Sequence, residues 1–311
     1  MKIYHDVNSK YADYNTIPVD MVENIFDKSR KLGFQIKPIE LNNVIGGIRK
    51  KSLVVVGAEP GMGKSLISLN IMYELARQSV DVCYIDLENG TEDFVDKIHT
   101  RWYGGEKNKK TYQREISDIQ NIHYYSPIMF ENLLGKKNKA DLIKEIIINE
   151  YKKSMCEVFI IDPLQALENE LDSGKVNNEQ GIIIRTLRNL TIELDICIII
   201  NHHLRKSGGY RNFTSGEDDL KEEKEMYRIP TLEDLKGSSK ISDYATDVWL
   251  FYRQNFSKDD FKKGIISFYS RKSRAGFVGK CKLYILKDSL TLKSLKEVYD
   301  TSSMEHVYGH I

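Results

Sequence analysis

One stretch does most to limit what this chain can fold into. Leu53-Val54-Val55-Val56 is a short β-branched run that closes on Gly57. Ala58-Glu59-Pro60-Gly61-Met62-Gly63-Lys64-Ser65 follows, and then Ile67, Ile71 and Leu75 at four-residue spacing. The run reads as a buried strand, and the spacing predicts a helix over 65–78. The loop between them has the spacing of a Walker A phosphate loop, with Ala58 where the first glycine usually stands. Gly61 and Gly63 let backbone N–H groups turn inward around phosphate oxygens. The helix adds its positive N-terminal end. Lys64 has the reach for β- and γ-phosphates, and the Ser65 hydroxyl suits Mg²⁺. Gly-Lys-Ser alone arises by chance in glycine-rich turns. Between a strand and an amphipathic helix it predicts a nucleoside triphosphate site.

The same alternation continues downstream. Strands are expected at 82–85, 158–161 and 196–200, and later at 246–252, 265–271 and 281–286. Helices are expected over 139–153 and 179–194, where Leu142/Ile143/Ile146/Ile147 and Ile183/Leu187/Leu190/Leu194 form stripes. Continuous apolar strands separated by helices imply an α/β fold whose mostly parallel sheet is covered on both faces. Ligands of such sheets bind beyond the carboxyl ends of the strands.

The residues at those ends carry polar chemistry. Asp162 follows four apolar residues, as a Walker B carboxylate holding Mg²⁺ would, although Asp-Pro also suits a plain turn. Asp86 and Glu88 follow the second strand, and either could orient an attacking water. Asn201-His202-His203 follows the strand at 196–200. Adjacent histidines point in different directions and make a poor metal pair. One of them could hydrogen-bond a γ-phosphate, or simply pack at the strand end.

Composition narrows the classes. Lys+Arg is 46 against Asp+Glu at 45, a net charge of +1, so any nucleic-acid contact is local rather than a basic coat. No apolar run approaches the ~20 residues that cross a bilayer, and the first residues lack an apolar signal core. The 4 cysteines form no C-x-x-C pair, which fits a reduced, cytoplasmic setting. Residues 1–33 read as an arm with Val22, Ile25 and Phe26 on one side. Residues 34–290 read as the main domain and 291–311 as a tail without an assigned role.

Taken together, these motifs resemble the hexameric replicative DNA helicases of the DnaB type, especially the phage and Twinkle-like branch, with its RecA-like ATPase core. Leu87-Glu88 is similar to the family's Leu-Glu, which implies Glu88 rather than Asp86 as the water-positioning carboxylate. Ile161-Asp162-Pro163-Leu164-Gln165 resembles its Walker B. His203-Leu204-Arg205-Lys206 resembles its phosphate-sensing motif, and His202 beside it leaves two candidates for the sensor. Asp234-Leu235-Lys236-Gly237-Ser238 resembles its DNA-loop motif. Lys272-Ser273-Arg274 resembles the Lys-x-Arg pair that reaches into the adjacent subunit.

The resemblance implies an ATP- and Mg²⁺-dependent helicase that travels on single-stranded DNA as a homo-hexameric ring. It also implies primase and polymerase as further partners and a bacterial or phage-infected host cytoplasm as the setting. Arg205, Lys206, Lys236 and Lys240 supply cations and Gly237-Ser238 flexible backbone for a DNA-facing loop. The acidic stretch within 210–228 reads as solvated instead. Two rivals remain: a RecA-like recombination ATPase, and a nucleotide-gated accessory module that regulates a helicase.

Overall fold

The computed structural model describes residues 33–103, 120–135, 137–167, 173–204, 229–235, 240–253 and 259–299. Helix α1 spans Ile39–Ile45, strand β1 Ser52–Ala58, α2 Lys64–Ala76 and β2 Val82–Asp86. Then come α3 (Thr91–Tyr103), β3 (Ile122–Tyr125), α4 (Pro127–Leu134), α5 (Lys139–Ser154) and β4 (Val158–Asp162). A 3₁₀ turn at Leu164–Leu167 leads to α6 (Ser173–Glu193) and β5 (Cys197–His203). The last elements are α7 (Lys240–Tyr244), β6 (Asp247–Arg253), α8 (Asp260–Gly264), β7 (Ile265–Ser273), β8 (Gly279–Leu286) and β9 (Thr291–Ser294).

The nine strands among the described residues share one sheet in the order β3-β2-β4-β5-β1-β6-β7-β8-β9. The first six are mutually parallel, and β7, β8 and β9 add antiparallel at one side. Alternation along each strand sorts side chains to two faces. Val54, Val56, Tyr84, Ile160 and Ile199 pack with Ile67, Ile71 and Leu75 of α2. Leu53, Val55, Ile85, Ile161 and Ile200 pack with α5 and α6. Both faces are covered, which is why the parallel strands read as unbroken apolar runs.

Several boundaries differ from the sequence reading, and α6 begins at Ser173 rather than at the expected 179. β5 continues through His203, because its polar last residues still hold the register with β1 that pairs Gly57 with His202 and Ala58 with His203. Residues 291–294, expected in the tail, form the edge strand β9 and pair with β8. β7 runs on through Ser273, past the expected end at 271, so Lys272 lies within it and Arg274 just beyond it. The arm, apart from Gly33, lies outside the described residues, as do Arg205, Lys206, Lys236, Gly237 and Ser238 of the expected DNA loop.

Candidate nucleotide site

The carboxyl edge of β1 opens into the phosphate loop. Gly61 and Gly63 take left-handed backbone angles, φ 77° and 99°, which cost a side-chain-bearing residue roughly 1–2 kcal/mol. A methyl group on Gly61 would meet nothing within 4 Å, so this glycine serves backbone shape rather than crowding. Gly57 differs: a methyl there would come within 2.7 Å of Leu250 Cδ2, so its bareness lets β6 lie close.

Lys64 begins α2 and is only 5% exposed. Its Nζ donates to the carbonyls of Ala58 (3.0 Å) and Glu59 (3.1 Å), the loop it would share with a phosphate. Burial pulls its pKa down to about 8, against the opposing pull of Asp162, Glu88 and Glu59. A desolvated ammonium surrounded by neutral acceptors and open glycine backbone fits an incoming polyphosphate. Ser65 follows at the first turn of α2, half-buried.

Asp162 closes β4 and is 2% exposed. Its Oδ2 accepts from Tyr84 Oη at 2.6 Å. Burial and this carboxylate together push the Tyr84 phenol well up, so it stays a donor. A carboxylate held at the sheet edge beside Lys64 and Ser65 suits a magnesium ion. Asp86 lies in register with Asp162 across β2 and β4.

The two rival acids separate clearly. Asp86 is 2% exposed, whereas the Glu88 side chain is 60% exposed. Asp86 Oδ1 accepts from the N–H of Glu88 (3.1 Å) and of Asn89 (2.9 Å), so it shapes the turn that carries Glu88. Burial raises its pKa, the two N–H donors oppose that, and Asp162 adds to the rise. Glu88 Oε2 lies 3.9 Å from His203 Nε2.

Strand parity also separates the histidines. His203 shares the α2 face with Asn201, whose Oδ1 accepts from Ser68 Oγ of α2 at 2.8 Å. His202 turns to the other face and is fully buried. Gln165, just past β4, ties the two together: its Nε2 lies 2.6 Å from His202 Nδ1, and its Oε1 accepts from the His203 N–H at 3.2 Å. Leu204 then donates its N–H to the Ala58 carbonyl and pairs with Leu235, which lies within the expected DNA-loop motif. Sequence reasoning missed the work of Tyr84, Gln165 and Ser68. Period-two counting from the apolar run places Tyr84 on the Asp86 face and was the one available signal.

Lys272 and Arg274 lie elsewhere. The Arg274 N–H donates to Thr246 O, and the Thr246 N–H donates to Leu53 O at the start of β1. Ala58 is five residues farther along, roughly 16 Å at ~3.3 Å per residue. That is more than an arginine side chain spans. Lys272 Nζ donates to Ser242 O and to Asp243 O (3.3 Å), and Arg274 Nη2 donates to Asp243 O (3.0 Å). Burial, then repulsion by Arg274, lowers the Lys272 pKa. Lys240, at the start of α7, lies over Gly181 of α6, where a methyl would meet its Cδ at 2.5 Å.

The sheet order and the phosphate loop at the end of its central strand define a P-loop protein of the RecA-like class. A family model describing the DnaB-like helicase C-terminal domain matches residues 33–294. The chain belongs to that family. It is 23% identical over 278 residues to the replicative DNA helicase DnaB of Geobacillus stearothermophilus, a match covering 85% of this chain and 57% of the relative. It is also 28% identical over 184 residues to the DNA repair and recombination protein RadB of Methanosphaera stadtmanae, covering 56% of this chain and 66% of RadB. Among solved structures, a DnaB-like replicative helicase aligns with a TM-score of 0.68 at 20% identity, covering 90% of this chain and 68% of that one. The match spans between about a third and just over half of the length of the replicative helicases it resembles in sequence. Among the described residues no helix is long and apolar enough to cross a membrane.

Proposed function

We propose that this chain is the motor module of an ATP-driven DNA helicase that works as a homo-hexameric ring on single-stranded DNA. The carrying observation is the division of charged groups between two edges of one sheet. Lys64, Asp162, Glu88 and His203 gather at the carboxyl edge, while Arg274 sits roughly 16 Å away along the strands, at ~3.3 Å per residue, and Lys272 is turned to the carbonyls of Ser242 and Asp243. A hydrolytic site that needs both sets is completed only by an adjoining copy.

In this reading the backbone of Ala58, Gly61 and Gly63 cradles the phosphates, and Lys64 leaves its two carbonyls for the β- and γ-oxygens. Ser65 and Asp162 hold Mg²⁺, which supplies charge neutralisation at the phosphates when bound. Glu88 orients the attacking water, on a turn that Asp86 sets. His203 stands between Glu88 and the chain leading to the DNA loop, so loss of the γ-phosphate is felt at Leu204 and beyond. Lys272 and Arg274 stabilise transition-state charge from next door, a contribution of roughly 10³–10⁵ in rate for such a residue. Arg205, Lys206, Lys236, Gly237, Ser238 and Lys240 meet the DNA backbone, the arm packs on a neighbour, and primase and polymerase are partners.

The similarity to RadB favours a second reading, a recombination-type ATPase. One experiment separates them: ATP hydrolysis with and without single-stranded DNA, beside a strand-separation assay. Stimulated hydrolysis with unwinding supports the helicase. Stimulation without unwinding supports the recombination type, and no hydrolysis overturns both.

A further inference from the structure

The amino edge of the sheet holds a cavity of about 900 Å³, within the size range of small-molecule sites. Its charged lining is unequal, with five cations against two carboxylates. Internal pairing accounts for three of the five. Arg49 pairs with the buried Asp247, Lys50 with Glu157 outside the cavity, and Lys51 approaches Asp195 at 3.9 Å. Arg188 and Arg274 remain. Among the described residues, Arg188 Nη1 donates only to the Lys51 carbonyl (2.6 Å) and Thr191 Oγ1 (2.9 Å), and Arg274 Nη2 only to the Asp243 carbonyl. Neither has a carboxylate partner there.

The two guanidiniums also feel each other. The Arg188 pKa is lowered first by burial and then by repulsion from Arg274, with Asp247 opposing both. Two like charges lining one cavity, each anchored by neutral acceptors, form an arrangement that an anion relieves. Planar guanidiniums suit phosphate oxygens in particular. The anchor on Lys51 O fixes Arg188 to the start of the sheet edge, so its position relative to Arg274 is set by the fold rather than by chance side-chain rotation.

We propose that Arg188 is a further cation lent across the subunit boundary, receiving with Arg274 the triphosphate of the nucleotide held on the adjoining copy's phosphate loop. This rests on the ring reading above. It extends that reading to a helix, α6, that in sequence shows only an apolar stripe.

Complementation tests it. R188A chains are co-expressed with E88Q chains, and DNA-independent ATP hydrolysis is measured on the assembled species. R188A alone should lose at least tenfold in kcat while still assembling by sedimentation. Co-assembly should restore turnover above the sum of the two homomeric species, because pockets form with Glu88 from the R188A chain and Arg188 from the E88Q chain. R188K, which keeps a donor for Lys51 O, should be slowed and rescued in the same way, and it stands in if R188A does not fold. Unchanged turnover in R188A, or a loss that co-assembly does not rescue, overturns the assignment. R274A with E88Q is the control: if that pair also fails to complement, the ring reading itself falls. If it complements while R188A does not, only Arg188 is wrongly placed.

Discussion

The two edges of the sheet are built on opposite principles. At the carboxyl edge the charged groups of the phosphate loop and first strand ends are held within the same chain: Lys64 on two carbonyls, Asp162 on Tyr84, Asp86 on its own turn. At the amino edge Arg49 is answered by Asp247, yet Arg188 and Arg274 line the same cavity on neutral acceptors alone. The difference teaches that charge is balanced locally at one edge and left on neutral acceptors at the other, and on the proposed reading it is a neighbouring copy that uses those two arginines.

The sharpest way to break that contrast is R274A. It should lower kcat by roughly 10³–10⁵ with little change in thermal midpoint, since its described side-chain partner is one carbonyl. R49A, on the same edge, should behave the other way. It leaves the buried Asp247 uncompensated and should cost about 3–5 kcal/mol of stability, read by denaturant unfolding. If R274A instead unfolds the chain and R49A only slows it, the division between paired and outward-facing cations is wrong.

Smaller effects sharpen the carboxyl edge. D86A removes the acceptor for two backbone N–H groups, at about 1 kcal/mol each. It should cut kcat about tenfold with KM nearly unchanged. D86N keeps an acceptor oxygen and should restore most of it, whereas an Asp86 that took the proton itself would be as damaged by Asn as by Ala. The mildest test is pH. Free Lys64 loses its proton near pH 8, so nucleotide binding above that pH must take one up. KM for ATP should be flat below pH 8 and climb above it, approaching tenfold per unit. In the same window the unfolded chain binds more protons than the native one, so the nucleotide-free protein should gain stability as pH rises from about 8 toward 10.5.

Much of this was legible in sequence because burial on both faces writes itself as apolar runs. β1, β2, β4 and β5 were visible that way, and each points to a site residue. β3 was not, since Ile122-His123-Tyr124-Tyr125 lies at the edge and is only half-buried. β9 was not, since Thr291–Ser294 is four residues with one apolar side chain. The phosphate loop was legible because its chemistry demands glycines and a lysine at fixed spacing. The choice between Asp86 and Glu88, and between His202 and His203, was open to residue chemistry alone. In the structure Asp86 and His202 are buried and Glu88 and His203 are more open, a difference set by how the turn after β2 folds back onto Asp86 and by the packing around β5, which no residue pattern spells out. Arg188 carried no signal, because an arginine on the outer face of an amphipathic helix looks like any solvated cation.

The central claim is that each nucleotide site is finished by the neighbouring copy. ATP turnover per chain, measured across a dilution series beside sedimentation velocity, tests it most directly. Activity per chain should fall in step with the assembled fraction and nearly vanish for the monomer. A monomer that hydrolyses ATP at the full per-chain rate would contradict the account.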